Sequence, residues 1–181
     1  MKNVFFLLVV FGLFSCGSKM ANVAKTPEGK QLMEEKSSYE KIPWIDISEA
    51  EALVKAKPRK LIVDVYTDWC GPCKLMDRKT FVNKEVIDQL SKDFYPVKFN
   101  AEGPQTLSFM GKDYGNPNHN PNKRGRNSKH QLSNFFAVRG YPTLVVMDEN
   151  LKIIDKIVGY KTPEQLLTAL QKHNSGKAVK G

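Results

Sequence analysis

The chain has 181 residues, enough for one domain of about 150 residues with short appendages. Hydrophobic residues make up 41% and charged residues 26%, which excludes a disordered chain and a protein with several membrane spans. Only three cysteines occur, so a small domain held together by disulfides is also excluded. The net charge of +9 favours anionic surfaces or partners, but it does not by itself imply nucleic acid.

The first sixteen residues have the features of an export signal rather than of a fold. Lys2 precedes an apolar run at residues 4–14, which is shorter than the roughly 20 residues that span a bilayer and has the length of a signal-peptide core. Residues 13–17, Leu-Phe-Ser-Cys-Gly, resemble a bacterial lipobox, in which the cysteine is lipidated. The alternative is an ordinary secretory signal with Cys16 incidental. We expect a signal peptide at residues 1–16, lipidation of Cys16, and a protein anchored in the bacterial cell envelope, facing the periplasm.

Residues 17–41 are polar with little apolar periodicity, and we interpret them as a tether to a domain at residues 42–173. Within that domain, Trp44–Ile47 predicts a short strand. Ser48 with Glu51 three positions later is a capping-box signal for a helix that ends near Lys57. The apolar run Leu61–Tyr66, which contains a single acid, predicts a buried strand.

A helical pattern begins after Cys70 and continues to Leu90, and we expect it to break near Thr80. The second half of the pattern starts close to Val82, and Asn83 is the candidate cap of that half. The remaining predicted elements are a strand at Tyr95–Phe99, a short helix before residue 141, strands at Tyr141–Met147 and Lys152–Val158, and a helix from Thr162 to near His173. Residues 174–181 are predicted to be a flexible tail. This order predicts an α/β domain.

Between the second and third long strands, residues 101–128 form a polar insertion. A loop of this length in a compact domain is either functional or disordered. A basic cluster spans its end and the two residues after it: Lys123, Arg124, Arg126, Lys129 and His130. Partner docking, contact with anionic lipid, a lid near a reactive site, and a merely solvated loop all remain open.

Two cysteines separated by two residues carry the chemistry. Trp69-Cys70-Gly71-Pro72-Cys73-Lys74 follows the predicted buried strand and opens a helix. At this spacing the two thiols can close a disulfide and reopen it with little backbone movement. Cys70 lies at the helix N-terminus, which favours its thiolate, so we expect it to attack a substrate disulfide. Cys73 lies one turn inside the helix, and we expect it to resolve the resulting mixed disulfide between Cys70 and the substrate. A zinc site would need further ligands, but the histidines are scattered, so we predict no metal and no cofactor besides this redox-active disulfide.

These residues resemble the thioredoxin superfamily over the whole predicted domain apart from the insertion. Residues 69–74 match the active-site motif of thioredoxins, and the matches elsewhere are Asp64, Lys98, Tyr141-Pro142-Thr143 and Gly159. Residues 66–70 and 79–81 also resemble the periplasmic thioredoxin-like domain of the transmembrane disulfide reductase. The resemblance implies a thioredoxin fold: a central mixed β-sheet flanked by helices, with the insertion preceding a cis-proline loop.

The resemblance also implies roles for individual residues. Asp64 would be a buried carboxylate with a raised pKa that accepts the proton of the resolving thiol, and Lys98 would restrain its charge. The alternatives are a solvent-facing acid and an exposed lysine. A cis bond before Pro142 would turn the Tyr141 backbone towards an extended client. Client contacts would also come from Trp69, for which core packing is the alternative, and from Gly71 and Pro72.

We therefore predict a monomeric, membrane-tethered thiol–disulfide oxidoreductase that acts on protein thiols and disulfides and not on nucleic acid. The Gly-Pro dipeptide between the cysteines resembles reducing members of the superfamily, so reduction is the favoured direction, with electrons supplied by a transmembrane donor. The alternative is a non-catalytic lipoprotein, a docking or chaperone module that presents the insertion to a partner. The intact cysteine pair argues against that alternative.

Overall fold

The computed structural model describes residues 39–173, so the predicted signal peptide, Cys16, most of the tether and the tail lie outside the described residues. The elements in chain order are α1 (Ile47–Ala56), β1 (Lys60–Tyr66), α2 (Gly71–Lys79), α3 (Lys84–Asp93), β2 (Phe94–Asn100), β3 (Leu107–Phe109), β4 (Lys112–Tyr114), α4 (Gln131–Phe135), β5 (Thr143–Met147), β6 (Ile153–Val158) and α5 (Pro163–Leu170), followed by a 3-10 turn at Gln171–His173. Within residues 39–173, no helix combines the length and the apolar character that crossing a membrane requires.

A four-stranded mixed sheet organises the domain, in the order β2-β1-β5-β6. Strand β1 is parallel to β2 and antiparallel to β5, and β5 is antiparallel to β6. Because β1 is central and covered on both faces, its apolar run is continuous rather than alternating. This arrangement confirms the predicted central mixed sheet flanked by helices.

Each face of the sheet packs against its own apolar core. Val63 and Val65 point into one of these cores, which also contains residues of α1, α4 and β3. Ile62 points into the other, together with residues of α2, α3 and α5. Successive strand residues alternate between faces, so Asp64 lies on the same face as Ile62, beneath the helix that begins after Cys70.

The segment before α1 differs from its prediction. Instead of a strand at Trp44–Ile47, only Ile45 pairs with the sheet, through a parallel bridge to Val97. The reason is that Asp46, and not Ser48, caps α1: its carboxylate accepts the Ser48 N–H at 2.8 Å, so the chain turns into the helix directly.

Glu51 was predicted to complete a capping box at the start of α1. Its carboxylate instead contacts the β3–β4 turn and a lysine one helical turn further along α1. Its carboxylate accepts the backbone N–H of Met110 at 2.6 Å and pairs with Lys55 at 2.7 Å. Glu51 therefore anchors the β3–β4 turn to α1.

Two helix boundaries confirm the sequence patterns that predicted them. Asn83 caps α3 by accepting the Val86 N–H at 3.1 Å, and the break near Thr80 separates α2 from α3. Val82 lies in this break and is 61% exposed, so it belongs to the turn rather than to a helical apolar face. Thr162 and Gln165 form a reciprocal capping box at the start of α5.

The first half of the insertion contains regular structure and is therefore not merely a solvated loop, whereas residues 115–128 contain no helix or strand and residues 120–126 are exposed. Strands β3 and β4 form a hairpin whose turn uses positive φ at Met110 and Gly111, and the Phe109 side chain is fully buried. Asn116 is buried as well: its amide donates to the carbonyls of Gly103 at 3.2 Å and Ser128 at 2.8 Å. These bonds join the beginning and the end of the insertion.

We expect Asn116→Ala to lower the free energy of unfolding by about 2 kcal/mol, because one buried and one half-buried carbonyl group lose their donor. Urea denaturation of the variant and the parent protein measures the difference. Asn122→Ala, at an exposed position of the same insertion, is the matched control and should change stability by less than about 0.5 kcal/mol. Equal losses in the two variants would contradict the structural role of Asn116.

Candidate active site

Cys70 and Cys73 form a disulfide at the start of α2, with the sulfur atoms 2.05 Å apart. Cys70 is the N-cap of the helix, and its Sγ accepts the backbone N–H of Cys73 at 3.1 Å. The two cysteines are only 2% and 4% exposed, whereas Gly71 and Pro72, which lie between them in the first turn, are exposed. Gly71 and Pro72 therefore form an exposed edge next to the buried disulfide.

This position favours Cys70 as the attacking thiolate in the reduced protein. The first turn of a helix has unpaired N–H groups and the positive end of the helix dipole, and both stabilise a negative charge. The N–H of Cys73 already points at the Cys70 sulfur. A thiolate held in this way is the nucleophile of thiol–disulfide exchange.

Asp64 is a buried carboxylate on the face of β1 that α2 covers. It is 2% exposed, and its Oδ2 accepts a hydrogen bond from Lys98 Nζ at 3.0 Å. Its Oδ1 atom has no hydrogen-bond partner among residues 39–173. Burial raises the pKa of Asp64 from 3.8 to about 6, although the positive charge of Lys98 opposes this shift. The solvent-facing alternative is wrong, and Asp64 can exchange a proton near neutral pH.

Lys98 lies among aromatic rings instead of extending into solvent, so its exposed alternative is wrong too. Its Nζ atom is 5.0 Å from the ring centroid of Trp44, 5.1 Å from that of Tyr66 and 5.3 Å from that of Phe81. Burial lowers the pKa of Lys98, but hydrogen bonds and charge attraction from Asp64 and Asp77 outweigh it and raise the pKa overall. Lys98 is therefore a cation when it contacts Asp64.

Sequence reasoning missed Asp77, the second partner of Lys98. Asp77 lies four positions after Cys73 in α2, so the two residues share one face of the helix. That spacing is a signal that could have identified it. The contact connects the helix that begins with the cysteines to the buried Asp64–Lys98 pair.

Trp69 and Tyr141 lie side by side at the disulfide end of the sheet. Both are half-buried, and their rings meet edge to face with centroids 6.0 Å apart. The Tyr141–Pro142 bond is cis, as the resemblance implies. The Pro142 carbonyl accepts the N–H of Gly159 at 2.8 Å, which attaches this loop to the end of β6.

The insertion contacts the site through Trp69, which sequence reasoning did not predict. The indole N–H donates to Glu102 Oε2 at 2.9 Å, and the Arg126 guanidinium lies 4.4 Å from the indole ring centroid. The same Glu102 oxygen accepts the N–H of Asn127 at 2.7 Å. No periodic pattern marks Glu102, whereas Arg126 belongs to the basic cluster noted in the sequence.

The structure thus brings together the predicted pairs Cys70–Cys73, Asp64–Lys98 and Trp69–Tyr141. Across residues 39–173, no group of three or more His, Cys, Asp or Glu side chains is arranged to hold a metal ion.

Comparison with known proteins agrees with this geometry. A family model described as a thioredoxin-like domain matches residues 47–174. A thioredoxin of Staphylococcus aureus is 25% identical over 129 residues, which cover 71% of this chain and 96% of that protein. The solved thioredoxin of Thermus thermophilus superimposes with a TM-score of 0.54 at 18% identity, covering 73% of this chain and 86% of that one. A DsbH oxidoreductase gives 0.52 at 18% identity, with coverages of 82% and 94%. The two structural similarities confirm the fold.

Proposed function

The chain belongs to the thioredoxin-like family, and from this membership we propose that it is a disulfide reductase of proteins in the bacterial cell envelope. Its oxidoreductase class follows from the family and from the Cys70–Cys73 pair. The observation that carries the proposal is the placement of this disulfide at the N-terminus of α2, beside Trp69 and the cis Tyr141–Pro142 bond.

In the proposed cycle, the Cys70 thiolate attacks one sulfur of a client disulfide. A mixed disulfide forms, and the first client sulfur leaves as a thiolate. Cys73 then attacks the Cys70 sulfur, closes the disulfide observed here and releases the second client thiolate. Asp64, whose pKa of about 6 makes it a base at neutral pH, takes the proton of Cys73, directly or through water.

Two features of the sequence support the proposed cellular location of the protein and the proposed direction of the redox reaction. The export signal and the lipobox-like residues around Cys16 favour a lipid-anchored protein that faces the periplasm. The Gly71-Pro72 dipeptide resembles that of reducing relatives. A reductase outside the cytoplasm needs electrons from inside, so we propose a transmembrane electron donor that reduces the Cys70–Cys73 disulfide after each turnover.

The equilibrium reduction potential of the cysteine pair tests the direction. We expect the full-length chain, titrated against glutathione and dithiothreitol buffers, to give a value near or below about −250 mV, towards the thioredoxin end of the scale. The Cys73→Ser variant, which cannot form the disulfide, is the blank for the titration. A potential above about −150 mV would instead indicate an oxidant of envelope thiols.

A further inference from the structure

Trp69 is fixed by contacts with both the insertion and the cis-proline loop. Glu102 accepts its indole N–H, the Tyr141 ring meets it edge to face, and the Arg126 guanidinium covers the indole ring. Because Glu102 also accepts the N–H of Asn127, the segment that carries Arg126 is tied to the same carboxylate. Trp69 and Arg126 therefore form one surface beside the disulfide, which we call the Trp69–Arg126 surface.

The Arg126 guanidinium forms no ion pair among residues 39–173, although the Glu102 carboxylate lies on the same surface. Arg126 is exposed, and among residues 39–173 it has no carboxylate partner. The two carboxylates beside this surface accept hydrogen bonds from neutral donors: Glu102 from Trp69 and Asn127, and Asp68 from the Asn100 amide at 3.1 Å. Neither forms an ion pair with Arg126 among residues 39–173. One face of the guanidinium lies on the indole, and within residues 39–173 its N–H groups have no acceptor, so they can bind a ligand.

Two more cations adjoin the segments that form the site. Lys74 directly follows Cys73, and Arg139 precedes the cis-proline loop by two positions. Both are exposed, and neither has an ion-pair partner in the described part of the chain. Each of these segments therefore has an exposed cation without an ion-pair partner among residues 39–173.

We propose that the Trp69–Arg126 surface selects client proteins whose disulfides are flanked by acidic residues. This inference rests on the proposed function and specifies its substrate class. A client carboxylate accepts two N–H groups of Arg126, a geometry for which a guanidinium is suited, and this holds the neighbouring client sulfur at the Cys70 edge of the site. The redox step is unchanged: one client disulfide becomes two thiols while the Cys70 and Cys73 thiols become a disulfide.

A pair of synthetic peptides tests this selection. Each contains one disulfide, and the residues flanking its cysteines are Asp in one peptide and Asn in the other. Pre-reduced full-length protein is mixed with an excess of either peptide, and the second-order rate constant of a single turnover is measured. We expect the parent protein to reduce the Asp peptide about fivefold faster, as for one exposed ion pair, and to lose this preference as salt is raised.

Arg126→Gln should remove the preference, so that the ratio of the rate constants for the Asp and Asn peptides falls from about five to about one. Arg124→Gln is the matched control: it removes the same charge two positions earlier, and Arg124 makes no contact with the Trp69 ring in the described structure. Circular dichroism confirms that both variants fold. The salt dependence of the parent protein tests the proposal without any variant.

Each other outcome overturns the inference in a distinguishable way. If the parent protein reduces both peptides equally, the selection does not exist although the proposed function stands. If Arg126→Gln slows both peptides equally, Arg126 acts on the disulfide and not on client acids. If Arg124→Gln removes the preference as well, the effect is one of overall charge. If the parent protein reduces neither peptide, the proposed function fails and this inference fails with it.

Discussion

Cys70→Ser is expected to lower the rate of client disulfide reduction by about a thousandfold or more, down to the uncatalysed background. The hydroxyl of a serine is not ionised at neutral pH, even at a helix N-terminus that stabilises the thiolate of Cys70. Reduction of an insulin-like or peptide disulfide by dithiothreitol, with and without the protein, measures the loss.

Cys73→Ser is the matched control, because it removes the same disulfide and therefore affects stability in the same way. In this variant Cys70 can still attack, but the mixed disulfide is not resolved, so a covalent protein–client adduct should accumulate and appear by mass spectrometry. If Cys73→Ser forms no adduct while Cys70→Ser does, Cys73 is the attacking thiol and the assignment is reversed.

The Cys70→Ser variant also distinguishes a catalytic protein from the docking or chaperone alternative. A cell that depends on this protein should lose that function with Cys70→Ser if the protein acts through exchange chemistry. Retained function in cells, together with lost activity in the peptide assay, would favour a module that binds a partner through its fold and insertion.

The reactive centre could be predicted from sequence because its chemistry depends on local spacing. The two cysteines and the helix N-terminus that positions them lie within four consecutive residues, 70–73, so the pattern itself contains the geometry. The burial of Asp64 was also predictable, since it is the single acid in an otherwise apolar strand whose pattern predicts burial on both faces. Its contact with Lys98 required the resemblance, because β1 and β2 are paired only in the folded sheet.

The surroundings of that centre could not be predicted in the same way. The insertion is held by side-chain to backbone hydrogen bonds, such as those of Asn116, which leave no periodic signal in the sequence. The contact between Glu102 and Trp69 joins residues far apart in the chain, and it depends on how the insertion folds back. At the other end of the domain, Asp46 rather than Ser48 caps α1, because two good capping residues lie two positions apart and the local pattern does not rank them.

Asp64→Asn is expected to stabilise the protein at neutral pH. The folded-state pKa of about 6 exceeds the ordinary value of 3.8, so the folded protein holds a proton that the unfolded chain releases in this interval. The stability of the parent protein must then fall as pH rises from about 4 to about 6. At pH 7 and above, this shift in the pKa of Asp64 corresponds to a loss of about 3 kcal/mol in the free energy of unfolding of the parent protein. The Asp64→Asn variant avoids this loss because an asparagine side chain is uncharged.

Denaturation curves at pH 3.5 and pH 7.5 measure this difference. The two proteins should have nearly equal stability at the lower pH, with the variant more stable at the higher one. Asp77→Asn is the control: it removes the other carboxylate partner of Lys98, whose side chain is 43% exposed, but it leaves the buried Asp64 carboxylate in place. This variant should therefore lose stability between pH 3.5 and pH 7.5 as the parent protein does. A parent stability that does not change between pH 4 and pH 7 would contradict the buried, titrating carboxylate.

The gain in stability should be accompanied by a loss of rate, which separates a functional carboxylate from a merely buried one. Without a base for the Cys73 proton, resolution of the mixed disulfide should slow about a hundredfold at pH 7. The parent rate should rise through pH 6 as Asp64 ionises, and this rise should be missing in Asp64→Asn. A variant that is more stable and equally fast would show that Asp64 has no part in proton transfer. A variant that is more stable and slow would explain why the protein keeps an unfavourable charge inside its sheet.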